Sequence, residues 1–439
     1  MSLSYKRVRT LFTDHLGLAR GKYIPAGLVQ DGARFCVATY ALTFDRTMTP
    51  EATAGRLMEG LPDIDLDFDF HDIRPSWEPD TGVVIGDLSF HGQPFMVGAR
   101  NILKKAIADW KALGYEPSVG IEFEAFVMQP DGKGGWTEWD TPSAYVYGTG
   151  PSVDPIGLLT EIMDTAESVG LPIESINSEY DTPQFELTLR YSDALRAVDE
   201  AVLFKLMARE IAMKHGLRLT FMGRPFDDRG GSGFHVNFSL KDAQGNNVFE
   251  DAQSEDGLSA LMKQCIAGLV EKHESMALLC ASTVNAYKRL RPAQLSGYWA
   301  NWGYDHRGVT VRIPHSRGKA TRIEHRMGDG AANPYLATAA VLQAALMGVQ
   351  KQYPLPPAEQ LDCMDSQSTD RHTPDHLLEA CERIMADADF VDQFGRECVE
   401  QLVAVKRFEW EKYIEAHPDW QQIDKTVTDW ELNFYMPFL

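Results

Sequence analysis

Four short stretches of this chain alternate apolar residues with charged or polar ones, and that alternation limits how they can be buried. In GIEFEAF, residues 120–126, a strand turns Glu122, Glu124 and Phe126 to one face and Ile121, Phe123 and Ala125 to the other. PQFELTL sets Gln184, Glu186 and Thr188 against Phe185, Leu187 and Leu189, with Glu179 just upstream across the turn-forming YDTP. GSGFHVNFSL sets His235, Asn237 and Ser239 against Phe234, Val236, Phe238 and Leu240. TRIEHRMGD sets Arg322, Glu324 and Arg326 against Ile323, His325 and Met327. A sheet buried on both faces does not tolerate such strands. The pattern predicts an α+β fold in which a curved antiparallel sheet, backed by helices, lines a cavity with its polar face.

Helical stretches separate these strands. ARNILKKAIADWKALG is stopped by Gly114, Asp154-Pro155 opens a helix ending at Gly170, and Ser192 caps one ending at Gly216. YLATAAVLQAALMGV reads as a buried helix, and the chain beyond Pro354 as mainly helical. The first hundred residues differ, being rich in Gly, Asp and Pro with short strand-like runs such as RFCVATYAL and TGVVIGDLSF. With 439 residues, more than one hydrophobic core is expected. We therefore divide the chain into a small N-terminal domain, 1–97, and a larger domain, 98–439. DIDLDFDFHD resembles the start of a calcium loop, but Phe68 and Arg74 stand where glycine and a bidentate glutamate are required. It reads as a solvated edge segment.

A formal net charge of −21 argues against a nucleic-acid or anionic-membrane partner. MSLSYKRVRT lacks the apolar core of a signal peptide, and no apolar run is long enough to span a bilayer. The six cysteines include no CxxC pair and read as reduced thiols, which points to the cytoplasm. There is no GxxxxGK[ST] loop, HExxH, GxSxG or dinucleotide fingerprint.

The polar faces hold five glutamates, Glu122, Glu124, Glu179, Glu186 and Glu324, and one histidine, His235. Hard oxygen ligands with one imidazole suit Mg²⁺ or Mn²⁺ rather than structural zinc. Converging carboxylates raise one another's pKa unless divalent cations neutralise them, and two cations fit the ligand count. The same region is crowded with Arg289, Arg307, Arg312, Lys319, Arg322 and Arg326. Arginine binds carboxylate and phosphate bidentately, so the set describes phosphoryl transfer to an acid substrate.

These segments, in this order, resemble glutamine synthetases. GIEFEAF is similar to the family's ExE strand, EYDTPQFE to its EVAPGQxE segment, GGSGFHVNFSL to NGSGMHxHxSL and NAYKRLRP to NSYKRLxP. HRGVTVRIP, KATRIEHR and DGAANPYLATAAVLQAALMG match further family motifs, and VTDWELNFY resembles the closing segment of class I enzymes. The likeness runs from about residue 40 to the C-terminus. It implies an N-terminal β-grasp domain, a dodecamer of two hexameric rings with active sites between neighbouring subunits, and ATP, glutamate and an amine as substrates. By the same likeness, Glu124, Glu179 and Glu186 hold one metal, and Glu122, His235 and Glu324 the other. Asn237, Ser239, Arg312, Lys319 and Arg322 face ATP; Gly231, Arg289 and Arg326 hold glutamate; Arg307 meets the phosphoryl group in flight and is catalytic with Arg326 and with Asp45, which anchors the amine.

The departures from the family cluster around the amine. Leu295 occupies the position of the flap's catalytic glutamate, and Met48 that of a serine beside ammonium. Gly230 replaces the asparagine before the glutamate-binding glycine. An ammonium ion gains nothing from leucine or methionine, whereas an alkylamine gains about 0.8 kcal/mol per buried methylene. The flap RLRPAQLSGYWANWGYDHR most resembles those of γ-glutamylmethylamide synthetases and type III glutamine synthetases, which implies methylamine. Three alternatives remain: ammonia or another amine (ethanolamine, a polyamine) as nucleophile; a phosphagen-kinase-like phosphotransferase, which would lack the NPYL and VTDWE segments; and a non-catalytic scaffold, which would have lost metal ligands.

Overall fold

The computed structural model describes residues 4–50, 59–141 and 143–439. Ahead of residue 97 lie two four-stranded sheets. One runs in the order Ala19–Pro25, Arg7–Thr13, Thr81–Ile85, Arg74–Pro75, with Arg7–Thr13 and Thr81–Ile85 parallel. The other runs Ala33–Cys36, Asp63–Asp67, Asp87–Phe90, Gln93–Pro94, all antiparallel. Three sequence expectations change here. RFCVATYAL is a strand only as far as Cys36 and then winds into a 3₁₀ turn, Val37–Ala41, that buries Val37 and Tyr40. TGVVIGDLSF is broken at Gly86 into strands of different sheets; a side chain there would meet the Asp67 carbonyl oxygen at 2.7 Å. DIDLDFDFHD is not an edge: Asp63–Asp67 is an interior strand that buries Ile64 and Leu66.

The remaining sheet has ten strands. Its spine is Ile173–Ser178, Gln184–Leu189, Glu116–Pro130, Phe234–Lys241, Ile323–His325, Val311–Ile313 and Trp302–Tyr304. Only the last pair is parallel. The 15-residue Glu116–Pro130 strand is central, and its alternation is realised: Ile121, Phe123 and Ala125 are buried while Glu122 and Glu124 stay half-buried. Phe126 follows the glutamates in parity but is itself buried against Phe226, so the polar face stops at Glu124.

Helices supply the apolar backing. Pro334–Lys351 is buried from Pro334 to Gly348, and Ala194–Lys214 packs along the central strand. Two helix starts differ from the sequence reading. The Leu158–Ser168 helix begins later than Asp154-Pro155, and the Asp154 carboxylate reaches forward to the amides of Leu158 and Leu159 at 2.7 and 3.0 Å. Ser192 does not cap Ala194–Lys214; it pairs with Val119 of the central strand. Beyond Pro354, the helices are Leu377–Ala386, Ala388–Phe394, Arg396–Ala416 and Asp429–Tyr435. Among the described residues, no helix is long and apolar enough to cross a membrane.

Candidate active site

Strand register builds the site. Across the central strand Glu124 lies opposite Glu186, and Glu122 lies opposite Thr188 on one side and His235 on the other. Farther along, Asn237 pairs with Glu324 and Glu324 with Arg312. Cross-strand partners sit about 5 Å apart, so five strands deliver these groups to one surface.

His235 is the hub. Its Nδ1 lies 3.3 Å from Glu122 and 3.8 Å from Glu324, and its Nε2 lies 3.8 Å from Glu124. Two triads, Glu122–His235–Glu324 and Glu124–Glu186–His235, each bring a ligand atom from every member within 4.8 Å of the others. Glu179 lies outside both triads. Its carboxylate instead accepts from the Asn177 amide and the Tyr180 N–H, each at 3.2 Å. Burial and the like charge of Glu124 push its pKa up, while these two hydrogen bonds work the other way.

The electrostatics call for cations. Burial, then Glu122, Glu124 and Glu179 together, push the Glu186 carboxyl up to about 8, although the exposed Arg307 works the other way. Glu324 shows the opposite balance. Burial alone would raise its pKa, but the charges of Arg326, His235 and Arg312 outweigh it and hold the carboxyl low. Each Glu324 oxygen takes one arginine, Arg312 at 2.6 Å and Arg326 at 2.5 Å. A crowd of carboxylates that raise one another's pKa fits divalent cations held by oxygen and a single imidazole.

Beside the triads opens a cavity of about 270 Å³, lined by Glu122, Asn237, Ser239, Lys319, Arg322 and Tyr191 among others. Arg322 donates to the Asn237 oxygen at 3.0 Å and Asn237 donates to Glu122 at 2.9 Å, so the amide is fixed from both ends. Arg312 does not line this cavity, being held by Glu324 and Asp305. The glutamate-binding candidates Gly231, Arg289 and Arg326 lie together. Arg289 is buried along the Gly231–Gly233 backbone, where a Cβ on Gly231 would meet its Cγ at 2.5 Å. It donates to the Met327 and Arg326 carbonyls, and Gln184 donates to the Gly231 carbonyl at 2.9 Å.

The flap reaches the site through its backbone. Leu295 has φ +51°, its side chain is exposed, and its carbonyl accepts from Arg326 Nη2 at 3.3 Å. Asp45 and Met48 are not brought to this cluster within the chain. Asp45 bonds Thr43, Thr47 and Lys412, and Met48 is exposed. Three residues that the sequence reading gave no role contribute here: Asn177 donates to Glu179, Asp181 accepts from the Gly230 N–H, and Tyr191 lines the cavity. They belong to no charged alternating run, so pattern could not find them.

Residues 97–435 match the family model for the glutamine synthetase catalytic domain. The chain belongs to the glutamine synthetase family. Curated relatives named glutamine synthetase agree over most of their length. That of Clostridium saccharobutylicum is 34% identical over 82% of this chain and 81% of its own, and that of Pyrococcus woesei 31% over 98% and 96%. Among solved structures, GmaS, a γ-glutamylmethylamide synthetase, superposes in its ligand-free form with a TM-score of 0.82 at 29% identity, covering 98% of this chain and 96% of that one. A GmaS/ADP complex gives the same values. As a member of this family the chain is an ATP-dependent ligase of nitrogen metabolism, and its family uses divalent metals.

Proposed function

We propose that this ligase joins the γ-carboxylate of glutamate to a small alkylamine, methylamine first among them, giving γ-glutamylmethylamide, ADP and phosphate. One observation carries the reading: Leu295, whose carbonyl accepts from Arg326, has an exposed apolar side chain at the position where the resemblance puts the family's flap carboxylate. The likeness to GmaS supports it. The relatives named glutamine synthetase favour a second reading, ammonia as the nucleophile.

A free carboxylate is a poor electrophile because its leaving group would be oxide. In the proposed reaction a glutamate γ-carboxylate oxygen attacks the γ-phosphorus of ATP, the bond to ADP breaks, and the amine nitrogen then displaces phosphate from the acyl carbon. Arg289, with Gly231 and Arg326 beside it, meets the glutamate, its buried guanidinium offering the charge that an amino-acid carboxylate requires. Lys319, Arg322, Asn237 and Ser239 line the nucleotide cavity, where the exposed Tyr191 ring offers a face for a purine. Arg312 acts from the rear through Glu324. Arg307, exposed and close enough for its charge to reach Glu186, faces the phosphoryl group. Two Mg²⁺ or Mn²⁺ ions would be held by Glu122, His235 and Glu324 and by Glu124 and Glu186 with Glu179, neutralising charge on phosphate oxygens.

Asp45 and Met48 complete the amine pocket from a neighbouring copy, with residues 1–97 acting as the domain that reaches across in a two-ring dodecamer. Their lack of contact with the triads inside one chain supports this arrangement. The cytoplasm suits its six unpaired cysteines. Initial rates of phosphate release with glutamate and a panel of ammonium, methylamine, ethylamine, ethanolamine and putrescine test the reading. Methylamine should give the highest kcat/KM; a wide margin for ammonium overturns it.

A further inference from the structure

Residues 319–322 line the nucleotide cavity, and the backbone that carries them there is held at both ends. Arg317 ties the entry. Its guanidinium donates to the Pro314 carbonyl at 2.6 Å, to those of Ser316 and His315 at 3.1 and 3.2 Å, and to the Asp256 carbonyl at 3.0 Å. The exit is the Ile323–His325 strand, where Ile323 pairs with Phe238. Between these points the chain makes a short 3₁₀ turn, Gly318–Ala320, opening on Gly318 at φ +72°. Thr321 is buried, but its hydroxyl meets no partner among the described residues.

Asn247 holds the turn itself. Its Nδ2 donates to the Thr321 carbonyl at 2.7 Å, to the Lys319 carbonyl at 3.2 Å and to the Gly318 carbonyl at 3.4 Å. Its Oδ1 accepts the Phe249 N–H at 3.0 Å, which fixes the end of the amide that faces the turn. Carbonyls converging on one group require a donor there, so neither a carboxylate nor a hydrocarbon can substitute. Asn247 is itself well seated. The Phe234–Lys241 strand turns back through residues 242–246, Lys241 bridges to Asn247, and Val248 N–H bonds the Leu240 carbonyl at 2.9 Å. Phe249 is buried with its ring centroid 5.4 Å from that of Phe238. The same strand carries Asn237, whose oxygen accepts from Arg322 Nε at 3.0 Å. One strand and its return thus fix both the Arg322 side chain and the backbone at 318–321. A loose turn would have to be ordered by the nucleotide at an entropic cost, whereas a held turn presents Lys319 and Arg322 in place.

We propose that Asn247 is a positioning residue for nucleotide binding, organising the backbone at 318–321 so that Lys319 and Arg322 meet ATP without rearrangement. The inference rests on the reading of that cavity as the ATP site. Calorimetric titration of the full chain with ATP in Mg²⁺ tests it, together with hydrogen exchange of the turn's amides. Asn247→Ala and the near-isosteric Asn247→Leu should each raise the Kd for ATP roughly tenfold. Both should also speed exchange of the Thr321 N–H, which bonds the Gly318 carbonyl at 3.0 Å. The KM for glutamate should stay within about twofold. Asn246→Ala, one residue away with its side chain on Asp242, should leave the Kd and the exchange at wild type. An unchanged Kd in both Asn247 variants, while Lys319→Ala or Arg322→Ala raises it, overturns the role of Asn247 alone. An equal rise in Asn246→Ala does the same, since it would trace the effect to the hairpin rather than to the clamp. An unchanged Kd in both Lys319→Ala and Arg322→Ala overturns the reading of the cavity, and the role of Asn247 with it.

Discussion

Arg326 joins the flap to the metal-site carboxylates: its Nη2 donates to the Leu295 carbonyl at 3.3 Å and its Nη1 to Glu324 at 2.5 Å. The flap is thus registered on the site through its backbone, leaving the side chain at 295 free to set what the pocket accepts. Leu295→Glu should raise kcat/KM for ammonium relative to methylamine by tenfold or roughly so, an effect of about 1.4 kcal/mol. No change in that ratio would show that the residue does not face the amine.

Glu324 is buried with two arginines on its oxygens. Removing it leaves two guanidiniums uncompensated, so Glu324→Ala should destabilise the protein by about 3–5 kcal/mol as well as abolish turnover. Urea unfolding read by fluorescence checks the first part. A variant that unfolds at the wild-type midpoint contradicts the buried-triad picture.

Gly231 has no room for a side chain. A Cβ there would meet the Arg289 Cγ and the Gly223 carbonyl oxygen, both at 2.5 Å. The second of these is backbone and cannot yield cheaply. Gly231→Ala should therefore displace Arg289 and raise the KM for glutamate roughly tenfold while changing that for ATP less. Equal changes in both constants would argue against a glutamate site at Arg289.

Much of this site was legible in the sequence because strands obey a two-residue period. Once Glu122 and Glu124 share a face, a register that pairs Glu124 with Glu186 and Glu122 with His235 makes the rest of the cluster follow. What escaped was set by tertiary contact. Asp63–Asp67 looked like a solvated edge because its aspartates outnumber its apolar residues, yet two buried side chains, Ile64 and Leu66, place it inside a sheet. Lys412 sits on a helix whose pattern reports only its own buried face, and nothing local marks it as the partner of a residue 367 positions away. Glu179 was legible as a carboxylate near the others, but its hydrogen bond from Asn177 joins groups that no strand alternation relates.

The raised Glu186 carboxyl makes a signed prediction about pH. Its folded pKa, about 8, exceeds the usual 4.5, so the folded state binds the extra proton and stability falls as pH rises through that interval. His15, His273 and His325 act oppositely: burial above all lowers them to about 4, 4 and 3, so they cost stability only as pH falls below about 6.5. Above about pH 7 the buried Lys205, lowered to about 7 by burial, sheds its proton in the folded state and opposes Glu186, whose contribution prevails between about pH 6.5 and 7. Metal-free protein should lose melting temperature across that window, and either Glu186→Gln or added Mg²⁺ should flatten the slope. A flat wild-type profile without metal would contradict the like-charge crowding.

The most direct test of the central claim is a competition in one vessel. Glutamate, ATP, Mg²⁺ and equal concentrations of ammonium and methylamine are supplied, and the amide product is weighed by mass spectrometry. The account predicts that the product one methylene heavier than glutamine predominates. Glutamine as the main product would contradict it.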